Sequence, residues 1–146
     1  MASVATYLNF PGNTEEVFNF YKTVFNGEFA ENGIMRFRDV PPSDNMPPLS
    51  EAEKDMVMHV TLPITGGHLL MGTDAPGSMG FKVNQGNNVY INLMPDTREE
   101  TRRLFKALSE GGTVEQELQD MFWGDYYGSC RDRFGVQWMF ACAGKV

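Results

Sequence analysis

Histidine and cysteine are both scarce, with two of each in 146 residues. A chain with two histidines has little material for a histidine-rich metal centre. Cys130 and Cys142 lie too far apart for a Cys-x-x-Cys pair, which excludes the common redox and zinc-ribbon motifs and reads as two reduced thiols in strands. Positive charge is also in short supply. Twelve Lys and Arg face nineteen Asp and Glu, for a net charge of −7. Such a chain repels phosphate backbones, so nucleic acid is not an expected partner. No apolar run approaches the roughly 20 residues that cross a bilayer. The segment Met1–Ala5 lacks the charged start and apolar stretch of a signal peptide, and the expected location is cytoplasmic. Walker, G-x-G-x-x-G and G-x-S-x-G motifs are all missing.

Aromatic and sulfur-bearing side chains are plentiful. Eleven Phe, five Tyr, two Trp and ten Met are enough for a sizeable core. The chain also repeats itself. Residues 7–16, Tyr-Leu-Asn-Phe-Pro-Gly-Asn-Thr-Glu-Glu, match residues 90–99, Tyr-Ile-Asn-Leu-Met-Pro-Asp-Thr-Arg-Glu. Tyr7/Tyr90, Asn9/Asn92, Thr14/Thr97 and Glu16/Glu99 are identical pairs. Each copy reads as a short apolar strand, a turn and a helix start, with Asn13 and Asp96 as the expected N-caps opposite Glu16 and Glu99.

Helical spacing then predicts one buried stripe of Val17, Phe20, Tyr21, Val24 and Phe25, and another of Thr101, Leu104, Phe105 and Leu108. The helices should stop near Asn26-Gly27 and Gly111-Gly112. Strands are expected over Glu28–Arg38, Met56–Leu62, His68–Thr73, Thr113–Met121, Tyr126–Arg131 and Val136–Cys142. Strict alternation should put Met56, Met58, Val60 and Leu62 on one face, with Val57, His59 and Thr61 on the other. Val40–Lys54 carries Pro41, Pro42, Pro47 and Pro48 and reads as an irregular loop, a mobile lid or an inter-subunit arm. Arg98, Arg102, Arg103 and Lys106, interleaved with Glu99, Glu100 and Glu110, read as a solvated, ion-paired helix face.

The expected fold class is α+β: a single domain over 1–146 made of tandem βαβββ modules, 5–74 and 89–143, joined by a linker over 75–88. Two such modules side by side, in one chain or between chains, make a curved mixed sheet around a cleft. The stretch Asn19–Gly27 and the run Phe122–Gly128 followed by Asp132–Trp138 resemble signature segments of the PhnB-like branch of the vicinal oxygen chelate superfamily, which includes glyoxalase I, bleomycin-resistance proteins and extradiol dioxygenases.

The resemblance implies a glyoxalase-like fold and a homodimer with two equivalent clefts. In enzymes of the superfamily a divalent metal, held by His and Glu side chains, polarises adjacent substrate oxygens. The equivalent places here are Thr6, Val89 or Tyr90, Met71 or its neighbours Leu70 and Gly72, and Met139, none of them His, Asp or Glu. No cofactor is therefore expected, and the reading is metal-free binding of a small organic ligand. The cleft candidates are Asn9, His59, Asn92, Trp123, Tyr126 and Met139, and His59 is the one candidate base. Two alternatives stand beside it: a metal-dependent glyoxalase- or dioxygenase-type enzyme, and a structural or regulatory dimer with no ligand. Neither nucleic acid nor membrane is expected as a partner.

Overall fold

A computed structural model describes residues 1–30, 32–41, 45 and 47–144. They divide into two compact units, Met1–Asn84 and Gln85–Val146. The first runs β1 (Thr6–Phe10), α1 (Thr14–Phe25), β2 (Met35–Arg36), α2 (Glu51–Lys54), β3 (Val57–Pro63) and β4 (Leu69–Asp74). The second runs β5 (Ile91–Leu93), α3 (Arg98–Ser109), β6 (Thr113–Asp120), β7 (Tyr126–Arg131) and β8 (Gln137–Cys142). The sheets have strand orders β1-β4-β3-β2 and β5-β8-β7-β6. In each, the first strand lies parallel to the last, and the remaining pairs are antiparallel. The class is α+β, one βαβββ motif per unit. Among the described residues no helix is long and apolar enough to cross a membrane.

The helix of each unit covers one sheet face. In the first, Val17, Phe18, Tyr21 and Val24 are buried beside Phe10, Val60, Leu62 and Leu70. Phe18 replaces the expected Phe20, which is only half-buried. In the second, Thr101, Leu104, Phe105 and Leu108 are buried as their spacing predicts, with Trp138, Phe140 and Cys142 from β8.

The two cores solve one packing problem in opposite ways. Phe18 on α1 corresponds in the repeat to Thr101 on α3, and Leu8 to Ile91. Leu8 pairs with Gly72, whereas Ile91 pairs with Trp138. A Cβ on Gly72 would run into the Phe18 ring and sit 3.2 Å from Thr14 Cγ2. One unit thus has a large helix residue over a glycine, and at the corresponding places the other has Thr101 and Trp138, all of them buried.

Two buried aspartates organise the units. Asp74, at the end of β4, accepts the amide of Thr14 on Oδ1 and that of Val57 on Oδ2, both at 2.9 Å. It therefore supplies the cap expected of Asn13, whose side chain makes no capping bond. It belongs to the first unit's core, at the boundary with the linker. On α3 the cap is Thr97, which accepts from the Glu100 amide, one residue later than Asp96 would have done. Asp132 accepts the amides of Phe134 and Val136 on Oδ1 and the Trp138 indole N–H on Oδ2. It closes the β7–β8 turn and ties that turn to the core.

Several strand expectations change. Among the described residues between Glu28 and Arg38, which do not include Glu31, only Met35–Arg36 is strand, followed by a 3-10 turn. Met35 pairs with His59 and Arg36 with Val57, so β3 carries a bulge at Met58. The bulge breaks strict alternation: Val57 is buried together with Val60 and Leu62, and Met58 is not. The Thr73 hydroxyl donates to the carbonyls of Val57 and Met58.

The 40–54 segment is not wholly irregular. Ser50 and Glu53 form a reciprocal capping box that opens α2. Glu53 also accepts from the backbone amide and hydroxyl of Ser78, and Arg38 pairs with Asp55 and Glu51. Pro42, Ser43, Asp44 and Met46, part of the expected lid, lie outside the described residues.

These contacts set three expected outcomes. Gly72→Ala should lower stability by about 2 kcal/mol through overpacking, and Phe18→Leu in the same chain should recover part of that loss, read from urea denaturation midpoints in a double-mutant cycle. Asp132→Ala leaves three donors without their acceptor and should cost about 3 kcal/mol, whereas Asp132→Asn, which keeps a carbonyl oxygen for the two amides, should cost about 1 kcal/mol. The hydrogen bonds from Ser78 and Ser50 push the Glu53 carboxyl down to about 2. A depressed carboxyl contributes stability above its unfolded value and loses it as pH falls through the folded one. The α2 latch should therefore persist below pH 4, and Ser78→Ala should raise the Glu53 midpoint in a carboxyl NMR titration.

Candidate functional site

Each sheet has a second face, turned away from its helix, and strand alternation decides which residues reach it. In the first unit β1 sends Thr6, Leu8 and Phe10 toward α1 and Tyr7 and Asn9 away from it. Across β4 and β3 the same face carries Met71, Thr73, Thr61 and His59. His59 Nε2 lies 2.8 Å from the Thr61 hydroxyl, and its Nδ1 lies 3.4 Å from the Tyr7 hydroxyl. The Tyr7 and His59 rings are tilted against each other with centroids 5.8 Å apart. The structure brings Asn9 and His59 to one face. His68 is elsewhere, with Nε2 2.9 Å from the Thr6 hydroxyl, so the two histidines serve different partners.

In the second unit the parity of β7 and β8 is fixed by the buried Trp138, Phe140 and Cys142, whose partners are Cys130, Gly128 and Tyr126. The face away from α3 therefore receives Tyr127, Ser129 and Arg131 from β7 and Gln137, Met139 and Ala141 from β8. Asn92 joins them as the register partner of Met139. Trp123, in the β6–β7 turn, leans on Tyr127 with centroids 6.2 Å apart and donates its indole N–H to Asp125. Asn92, Met139 and Trp123 thus gather around this face. Tyr126 does not: it sits on the α3 side, with the Arg98 guanidinium 4.6 Å and the Arg102 guanidinium 6.0 Å from its ring centroid.

The helix face of α3 is also only partly as expected. Arg103 pairs with Glu100, but Arg98 reaches Asp120 on β6 and the Gly144 carbonyl, and Arg102 lies over Tyr126.

Sequence reading overlooked Tyr127, Ser129 and Arg131. Three residues two apart in a strand share a face, so the signal was present. What was missing was the parity, because Tyr126 and Tyr127 look alike until the buried neighbours are known. Polar chemistry on this face is held by few bonds. The Tyr90 hydroxyl donates to Glu115 at 2.9 Å, and that bond, with some burial, raises the phenol above its ordinary range. Gln137 is 4% exposed and donates to the Val89 carbonyl, while its Oε1 has no partner. Cys130, on the helix side, is pushed up to about 12 by burial and the nearby Asp132, and is no nucleophile at neutral pH.

The donor chemistry can be tested against the metal implied by the superfamily. Thr6 faces α1 and is engaged by His68, and Met71 and Met139 offer thioethers. Among the described residues no group of three or more His, Cys, Asp or Glu side chains is placed to hold a metal. Oxygen-seeking divalent ions bind thioethers poorly, so this donor set does not fit such an ion. At the helix starts one amide each is held by a side chain, that of Thr14 by Asp74 and that of Glu100 by Thr97.

Comparison with known proteins agrees with this architecture. Residues 2–141 match the family described as 3-demethylubiquinone-9 3-methyltransferase. Protein PA1353 from Pseudomonas aeruginosa is 33% identical and superposes with a TM-score of 0.81, covering 99% of this chain and 100% of its own. A PhnB protein from Bacillus cereus, described as a putative 3-demethylubiquinone-9 3-methyltransferase, is 24% identical with a TM-score of 0.73, over 97% of this chain and 100% of its own. A glyoxylase/bleomycin resistance protein/dioxygenase domain from Frankia shares the fold at 9% identity and a TM-score of 0.63, over 99% of this chain and 93% of its own. With two βαβββ units and a family match over nearly its whole length, the chain belongs to the 3-demethylubiquinone-9 3-methyltransferase family, in the PhnB-like branch of the vicinal oxygen chelate superfamily.

Proposed function

We propose that the protein binds a small organic molecule without a metal, on the sheet face of the second unit that carries Asn92, Met139, Tyr127 and Trp123. One observation carries this reading: the face opposite α3 gathers aromatic rings, a thioether and neutral polar groups in mid-sheet, with Arg131 at one end, where a merely solvated face would be mostly charged and polar. Flat rings beside a soft, adaptable sulfur suit a planar or amphipathic ligand. The family description names methyl transfer, an activity this reading does not require. The first unit's face, with Asn9 and His59, is a secondary candidate. There His59 is the candidate base, and its ring nitrogens already have hydroxyl partners.

Two measurements test the proposal. Protein purified without chelator should contain far less than one equivalent of Zn, Mn, Ni or Fe by elemental analysis, and a stoichiometric ion would overturn the metal-free reading. A thermal-shift screen of aromatic compounds should give hits, because a ligand at ~100 times its dissociation constant adds about 2.7 kcal/mol. Trp123→Ala should remove those shifts while leaving the ligand-free midpoint nearly unchanged, since the side chain is half exposed. A screen without hits would favour the reading of a dimer with no ligand.

A further inference from the structure

The face proposed for ligand binding has a polarity of its own. Along β7, Tyr127, Ser129 and Arg131 project to the same side. At about 3.3 Å per residue the stripe runs about 13 Å from ring to guanidinium. Tyr127 and Trp123 form the apolar end. Met139, the register partner of Ser129, lies in the middle, and Gln137 flanks Arg131.

Arg131 differs from the other described arginines. Arg36, Arg38, Arg98 and Arg103 pair with carboxylates, Arg133 binds the Glu110 carbonyl, and Arg102 lies over Tyr126. Among the described residues the Arg131 side chain makes no ion pair and no hydrogen bond, although the residue is half-buried and the chain has a net charge of −7. A guanidinium partly withdrawn from water with no carboxylate at ion-pair distance is an unfavourable arrangement. Acidic residues are abundant enough to have relieved it. Glu115, which like Arg131 influences Tyr90, is engaged by the Tyr90 hydroxyl instead. Ser129, next along the stripe, is 7% exposed, and its hydroxyl, which reaches solvent, has no hydrogen-bond partner among the described residues.

From this arrangement we infer that the ligand is an aryl-bearing organic anion, its carboxylate or equivalent oxyanion on Arg131 and Ser129 and its ring against Tyr127 and Trp123. The inference rests on the proposed binding function and names the class of ligand. Arginine suits the role because its planar fork meets two carboxylate oxygens at once. The neutral centre formed by Met139 and Ser129 lets the connecting atoms cross without a charge to repel them.

Isothermal titration of the full chain with 3-(2-naphthyl)propionate and with its primary amide tests this. The two probes share their ring and length and differ in charge. The acid should bind about tenfold or more tightly than the amide. Arg131→Gln should bring the acid down to the affinity of the amide, and Arg131→Lys should keep part of the difference. Trp123→Leu should weaken both probes by a similar factor. Equal binding of acid and amide, or a preference that survives in Arg131→Gln, overturns the anion assignment and leaves the binding function standing. Tighter binding of 2-(2-naphthyl)ethylamine than of the acid overturns it as well. If none of the three probes binds, the assignment falls together with the proposed binding face. Should Arg131→Gln fail to fold, the acid-to-amide ratio on the natural chain still decides.

Discussion

A small sheet with a single helix on it needs something to fix where that helix begins. In the first unit the Asp74 carboxylate does this. One oxygen holds the first amide of α1 and the other holds the first amide of β3. The side chain itself ends β4, the strand that pairs with both β1 and β3. Three elements thus converge on one buried group, and charge-assisted bonds of this kind are among the stronger ones available. The rest of the unit follows. With α1 anchored, Val17, Phe18 and Tyr21 meet Val60, Leu62 and Leu70, and the residues between those strand positions are left on the opposite face. Asp132 has a comparable role in the second unit, where it joins a turn to the Trp138 indole.

The same carboxylates explain what could be read from the sequence and what could not. The stripe of α3 and the bounds of β7 were legible because they depend on local spacing alone. The cap of α1 was not, because its acceptor lies sixty residues downstream. Asn13 had the right chemistry in the right place and lost to a group that only the tertiary structure supplies. Strict alternation in β3 failed for a related reason: Asp74 takes the Val57 amide while Thr73 takes the carbonyls of Val57 and Met58, and the bulge lies between them. Asn9, His59, Asn92 and Met139 could be put forward from the repeat and from parity. Tyr126 and Tyr127 could not be told apart, since two adjacent tyrosines differ only in which of them faces the helix.

Function in this family is written on a surface that the fold leaves uncommitted. Most of the buried apolar side chains of both units lie on the helix side of the sheets. A shared fold therefore says little about shared chemistry. On the proposed reading, the thioethers of Met71 and Met139 and the guanidinium of Arg131 would recognise a ligand by shape and charge rather than by coordination.

The reciprocal packing of Gly72 under Phe18 and Trp138 under Thr101 constrains how the two copies can have diverged. Starting from identical halves, neither pair could have reached its present form in a single neutral step. Enlarging the strand residue first collides with the helix, and shrinking the helix residue first opens a void. Each copy has crossed, or descends from, one side of an epistatic barrier. Recombination that exchanges a helix for its counterpart would pair phenylalanine with tryptophan in one product and glycine with threonine in the other. Both products would be less stable than the chain as it stands, so packing opposes such an exchange despite the similarity of the halves.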